Sequence, residues 1–223
     1  MRVMSTQTTH DEVREATEHL PDGSTLVIHG FDWDEYELLL ADLRDTPHLR
    51  LSYDSGNLRI VSISPEHEDY ATVLADLIVV FCDESEITVE ARGRATWRKP
   101  ELTKGVEGDA CFYVQNADRI IGKRRIDLAD DPPPDLVVEV DLTTEARHKF
   151  SIYAALGVAE IWLYDGEVVR FYQFRDGDYV ETSDSKVLPG LSIELLVESL
   201  NVNREQGQTA ARRRLRQKIR SRG

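Results

Sequence analysis

Residues Pro134 to Trp162 read PDLVVEVDLTTEARHKFSIYAALGVAEIW. Side chains in a strand alternate between faces, so Asp135, Val137, Glu139 and Asp141 share one side and Leu136, Val138 and Val140 the other. The second side is wholly apolar and belongs in a core. The first aligns three carboxylates, which a strand built only for packing rarely carries, because charges are seldom buried without a partner. Beyond the strand, Thr143 to Leu156 reads as a helix stopped by Gly157, and it carries Lys149. Acids on a strand followed by a lysine on a helix suggest a metal site at the edge of a sheet.

Spacing narrows the choice of acids. At about 3.3 Å per residue, Asp135 and Glu139 are roughly 13 Å apart and cannot share an ion, whereas Glu139 and Asp141 are about 6.6 Å apart and can face one site. Asp135, following Pro134, reads as a cap or as the partner of a base. Helical spacing sets Glu145, Lys149 and Tyr153 on one face, so the plainer alternative for Lys149 is an ion pair with Glu145 worth a few tenths of a kcal/mol, on the order of 0.3. His148 is turned about 100° away from Lys149. Two other segments offer acids. Asp109 precedes a strand beside Glu107, and Glu66 and Glu68 flank His67 at the start of the longest helix. His67 itself reads as a helix-start packing residue in preference to a general base. Hard ions such as Mg²⁺ take carboxylate oxygens and retain several waters, and they activate water and clamp phosphoryl oxygens.

Outward from this stretch the pattern is mixed. Helical periodicity covers His10–Leu20, Asp32–Leu43 and Glu66–Cys82, the last opened by Pro65 and striped by Leu74, Leu77, Ile78 and Phe81. Strands are expected at Ser24–His29, Leu49–Tyr53, Asn57–Ile63, Ile87–Ala91, Ala110–Val114, Ala159–Tyr164, Glu167–Phe174 and near Tyr179. Hairpins are signalled at Asp54-Ser55-Gly56 and Asp165-Gly166. A loop is expected around Trp97 and Pro100, a helical turn within Gln115–Ile126, and a terminal helix from about Ile193. The economical reading is a single mixed α/β domain over residues 1–200, with a basic tail, helical or disordered, over 201–223.

At 223 residues and 41% hydrophobic content, the chain is long and apolar enough for one sizeable core. No apolar run approaches the ~20 residues of a transmembrane helix, and the N-terminal stretch lacks the apolar segment of a signal peptide, so no membrane association is expected and a cytoplasmic location is the default. Cys82 and Cys111 form no CxxC pair and read as reduced packing residues. The net charge is −14, yet the tail from Arg212 holds seven of the 27 Lys and Arg and none of the 41 acids. An acidic body with a basic tail differs from the broad basic face of a simple nucleic-acid binder. Either the tail is a solvated helix end, or its charges meet phosphates, with a log–log salt slope of at most about −6. Zinc spacings, dinucleotide and phosphate loops and the nucleophile elbow are all missing from the sequence. A glycosidase pair lacks the aromatic-rich loops expected beside it.

In three segments the chain resembles the Uma-type restriction endonucleases, a bacterial family of the PD-(D/E)XK nuclease superfamily. The segments are SPEHEDYATVLADLI (Ser64–Ile78), TWRKPELTKGVEGDACFYVQN (Thr96–Asn116) and PDLVVEVDLTTEARHKFSIYAALGVAEIWLYD (Pro134–Asp165). The resemblance implies a restriction-endonuclease-like mixed central sheet flanked by helices, with Mg²⁺-dependent hydrolysis of phosphodiester bonds. By the same resemblance Asp109 is the first metal-binding aspartate and Glu139 the acid of the second half-motif. The superfamily's lysine stands two positions beyond that acid, where this chain has Asp141; the resemblance places it instead at Lys149. Glu66 or Glu68 would supply a helical acid. One departure is Glu107-Gly108-Asp109, where the family reads Glu-Pro-Asp; glycine frees the backbone that proline would fix.

These readings converge on a metal-dependent endonuclease acting on nucleic acid, DNA in the first instance. On this expectation Asp109 and Glu139 would hold Mg²⁺ or Mn²⁺, Asp141 is a candidate for an additional ligand, Lys149 would position the attacking water, and Glu66 or Glu68 would assist. The rival is a non-catalytic nucleic-acid-binding or assembly protein on a nuclease fold, suggested by the acidic body and the glycine. A carboxylate-based hydrolase of another substrate is a third reading. Homodimerisation follows only by analogy with many nucleases.

Overall fold

Apolar strand residues are buried in hydrophobic clusters within each of two units. The structure, a computed structural model, describes residues 2–4, 10–142 and 146–221, the first three by backbone alone. The chain divides into one unit of Met1–Glu66 with Thr96–Glu107 and another of His67–Ala95 with Gly108–Gly223.

In the first unit, strand β1 (Arg2–Met4) pairs in parallel with β2 (Thr25–His29), with helix α1 (His10–Thr17) between them in sequence. Helix α2 (Trp33–Asp42) is capped by Asp32, whose carboxylate accepts the Asp34 N–H at 2.8 Å. Strands β3 (Leu49–Asp54) and β4 (Asn57–Ser62) form the expected hairpin, and β4 also pairs antiparallel with β2. The turn has Ser55 at φ 49° and Gly56 at φ 91°, the two positive values that a tight hairpin requires. Val13, Tyr36 and Leu39 from the helices pack with Leu26, Ile28, Leu58 and Ile60 from the strands.

Next come helix α3 (Pro65–Glu84), strand β5 (Glu90–Lys99) and strand β6 (Lys104–Tyr113). Both strands exceed the expected lengths. Strand β5 continues through Trp97, where a loop was expected, because its sequence EARGRATWRK carries charges on largely exposed positions and gives no apolar alternation to read. Strand β6 starts well before Ala110, so Asp109 lies inside it.

The second unit continues with the short helix α4 (Ala117–Ile120) and β7 (Leu136–Val140), the acidic strand of the opening stretch. Strand β7 pairs antiparallel with β6, Ala110 opposite Val138, and parallel with β8 (Glu160–Tyr164), Val138 opposite Trp162. A parallel pair needs a crossover, and here it contains a 3₁₀ turn, Ala146–Lys149, and helix α5 (Phe150–Leu156). The helix expected from Thr143 is therefore shorter; residues 143–145, and with them Glu145, lie outside the described residues. Strands β9 (Val169–Arg175) and β10 (Asp178–Thr182) complete the antiparallel run.

The terminal helix is two helices, α6 (Ile193–Gln206) and α7 (Gln208–Arg220), broken at Gly207 with φ 84°. The boundary expected at residue 200 falls within α6, and α7 is docked: Ala211 and Leu215 are buried in one core with Leu74, Ile78, Val138, Trp162 and Leu196. Its cations pair with acids, Arg212 with Asp76, Arg214 and Lys218 with Glu198, Arg216 and Arg220 with Glu84. Ala211, Leu215 and Ile219, at helical spacing, are masked by the surrounding charge run ARRRLRQKIR, so the tail looks solvated in sequence and is not. The whole is a mixed α/β fold with parallel and antiparallel pairings. Among the described residues, no helix is long and apolar enough to cross a membrane.

Candidate active site

Strand β7 is buried on both sides. Leu136, Val138 and Val140 enter the core, as the alternation requires. Glu139, on the opposite side, is only 1% exposed. A carboxylate so placed needs partners, and α5 with its preceding turn supplies two. Lys149 donates from Nζ to Glu139 Oε2 at 2.7 Å, and the Tyr153 hydroxyl donates to Oε1. Lys149 and Tyr153 are one helical turn apart, so both reach the same acid.

Asp109 joins from β6. The β6–β7 register, continued one residue past Ala110–Val138, sets it opposite Glu139. Its Oδ2 accepts the Val140 N–H at 2.9 Å and lies 3.2 Å from His67 Nε2. Asp109, Lys149 and His67 are all buried.

The electrostatics follow from this burial. Desolvation pushes the Glu139 pKa up to about 7; the Lys149 ammonium opposes this, and the Asp109 charge adds to the rise. Burial, then the charge of Glu139, holds the Tyr153 hydroxyl well above the usual phenol range, so it remains a donor.

The other expected site residues are placed differently. Asp135 accepts from the Val114 N–H at 2.8 Å, the Asn116 N–H at 3.0 Å and Asn116 Nδ2 at 2.6 Å, which makes it the capping residue its position suggested. Asp141 lies just past β7, half-buried, and its Oδ2 accepts the Ala146 N–H at 3.1 Å. Ala146 opens the turn that carries Lys149. Among the described residues no three or more His, Cys, Asp or Glu gather to hold a metal ion, so Asp141 does not complete a three-acid cluster with Asp109 and Glu139. Glu66 is exposed and belongs to the first unit, and Glu68 is 3.9 Å from Arg94.

Helix α3 instead contributes His67, which was expected only to pack. The signal was present: the buried positions Ala71, Leu74 and Ile78 extend back at helical spacing to residue 67, while positions 66 and 68 lie about 100° to either side. Both cysteines are free and buried, as expected of packing residues.

Gly108, the departure in the Glu-Gly-Asp segment, has a steric reason. A Cβ there would lie 2.9 Å from Cys111 Sγ, 3.1 Å from the Tyr153 hydroxyl and 3.2 Å from Val137 Cγ1. A side chain there would force Cys111, Tyr153 or Val137 to shift.

A family model named Uma2, described as "Putative restriction endonuclease", matches residues 33–205. No curated protein matches the chain. Among solved structures it is similar to one described as "a putative nuclease belonging to DUF820" from Anabaena variabilis ATCC 29413. The two share 16% identity over 74% of this chain and 97% of that one, with a TM-score of 0.48.

Proposed function

This chain belongs to the Uma2 family, and from that premise we propose that it is a divalent-metal-dependent nuclease hydrolysing phosphodiester bonds of nucleic acid, with DNA as the first substrate to test. The observation that carries the proposal is the buried Glu139–Lys149 contact of 2.7 Å beside Asp109.

Two carboxylates on neighbouring strands, with no sulfur ligand among them, are a donor set that fits Mg²⁺ or Mn²⁺, ions that prefer oxygen and keep several waters. Asp109 and Glu139 would hold the ion, and its chemistry when bound is to polarise a phosphoryl oxygen and ease deprotonation of water. The chain's own groups set the geometry. Val140 fixes one Asp109 oxygen through its N–H, and His67 flanks the same atom. Lys149 has three N–H donors, one of them directed to Glu139. Its ammonium charge would orient the attacking water or stabilise a phosphate oxygen whose charge grows in the transition state. Asp141 has a supporting role in this reading, holding the turn from Ala146 to Lys149.

The rival reading, a binding protein that grips nucleic acid with its basic tail, has less to draw on. Five of the tail's cations, Arg212, Arg214, Arg216, Lys218 and Arg220, are engaged with acids of α3 and α6.

The test is incubation of plasmid, single-stranded DNA and RNA with Mg²⁺ or Mn²⁺, for wild type and Glu139→Ala. Cleavage that requires the ion and disappears in Glu139→Ala is expected. Cleavage that survives excess chelator or the substitution would overturn the proposal.

A further inference from the structure

We propose that Tyr153 is a positioning residue that, with Lys149, clamps the Glu139 carboxylate at both oxygens, and that Gly108 keeps the space the clamp requires. The role assigned to Glu139 rests on the nuclease reading above; the clamp itself rests on geometry alone.

A buried carboxylate held at one oxygen can still turn about its last torsion, which is broad for glutamate. Here Lys149 takes Oε2 and the Tyr153 hydroxyl takes Oε1, so rotation breaks a contact at one end or the other. Both holders come from the same short stretch, Lys149 as the residue preceding α5 and Tyr153 in its first turns. Tyr153 is fully buried, which limits the alternative positions open to its ring.

The space is equally specific. The hydroxyl lies 3.1 Å from where a Cβ on residue 108 would stand, and Cys111 Sγ and Val137 Cγ1 close in at 2.9 and 3.2 Å. Any side chain at 108 would press on the phenol, the cysteine and the strand that carries Glu139. Phenylalanine at 153 would pack as tyrosine does but leave Oε1 without its donor.

The experiment is a double-mutant cycle in metal-free protein. Tyr153→Phe, Lys149→Met and the pair are compared by denaturant unfolding, with Lys149→Gln in reserve should the methionine variant fail to fold. Kinetics of Tyr153→Phe follow on any substrate that wild type cleaves. Two groups holding one carboxylate should be non-additive by about tenfold in the folding equilibrium constant. Tyr153→Phe should lower kcat about tenfold and leave KM unchanged, since it disturbs the placement of Glu139 and not the binding of substrate. Additive effects in the cycle, or an unchanged kcat in Tyr153→Phe, would overturn the proposal. A non-additive cycle in a protein whose wild type cuts no nucleic acid would sink the nuclease reading and uphold the clamp.

Discussion

Lys149 is separated from Glu139 by ten positions in the chain and by 2.7 Å in space. The lysine arrives from the crossover between two parallel strands, not from the acidic strand itself, whose next outward position is Asp141. Removing it by Lys149→Met leaves a buried carboxylate without its cation. The stability loss should stay below the ~3–5 kcal/mol typical of breaking a buried pair, because Glu139, with its pKa already pushed up to about 7, can take a proton. Urea unfolding at neutral pH measures it.

The raised pKa of Glu139 gives a pH dependence of definite sign. Its ordinary value is 4.5 and its folded value about 7, so the folded state binds the proton more tightly. The associated stability is fully present below pH 4.5 and is lost as pH rises through 7. In metal-free protein, wild type should therefore lose stability relative to Glu139→Gln across that window. Parallel unfolding curves of the two proteins at every pH would contradict the assignment.

Much of this arrangement is legible in the sequence, and the exceptions have physical causes. The alternation of LVVEV gives the strand, its core side and the exclusion of Asp135 from the site, because strand geometry is strictly periodic. The grouping of Asp109, Glu139 and Lys149 comes from the family resemblance, since spacing alone leaves Lys149 free to pair with Glu145. Helical spacing places His67 on the buried side of its helix but not its role, because a polar residue there looks the same whether it packs or reaches a carboxylate. Strand β5 is hidden because it is charged and largely exposed. The docking of α7 is hidden because two of its acid partners, Asp76 and Glu84, each lie 136 positions from the arginine they meet.

Gly108→Ala should destabilise by about 1–3 kcal/mol, the usual cost of forcing a methyl group into a packed site. The nearest obstacle is Cys111 Sγ at 2.9 Å. Adding Cys111→Ala should recover part of that loss, which thermal or urea unfolding of the single and double variants would show. A double variant no more stable than Gly108→Ala would mean the clash lies elsewhere.

The docked tail predicts a contrast between its two kinds of residue. Leu215, fully buried in the core of the second unit, should cost ~2–5 kcal/mol as Leu215→Ala. Arg212→Gln, which removes a half-exposed ion pair with Asp76, should change stability by about 1 kcal/mol or less. Glu84 and Glu198 have pKa values lowered by their arginine and lysine partners, so what they add is present at neutral pH and fades as pH falls through the ordinary carboxylate range. Urea unfolding of the two variants, with wild type followed into acid, checks all three statements.

The role of Lys149 beside Glu139 is tested most directly by the single-turnover rate of DNA cleavage with Mg²⁺ in wild type and Lys149→Met. Loss of one donor aimed at developing charge typically costs on the order of 100- to 1000-fold. A fall of that size, in a variant that still folds, is the predicted result. A rate within a few-fold of wild type would contradict the catalytic role proposed for Lys149.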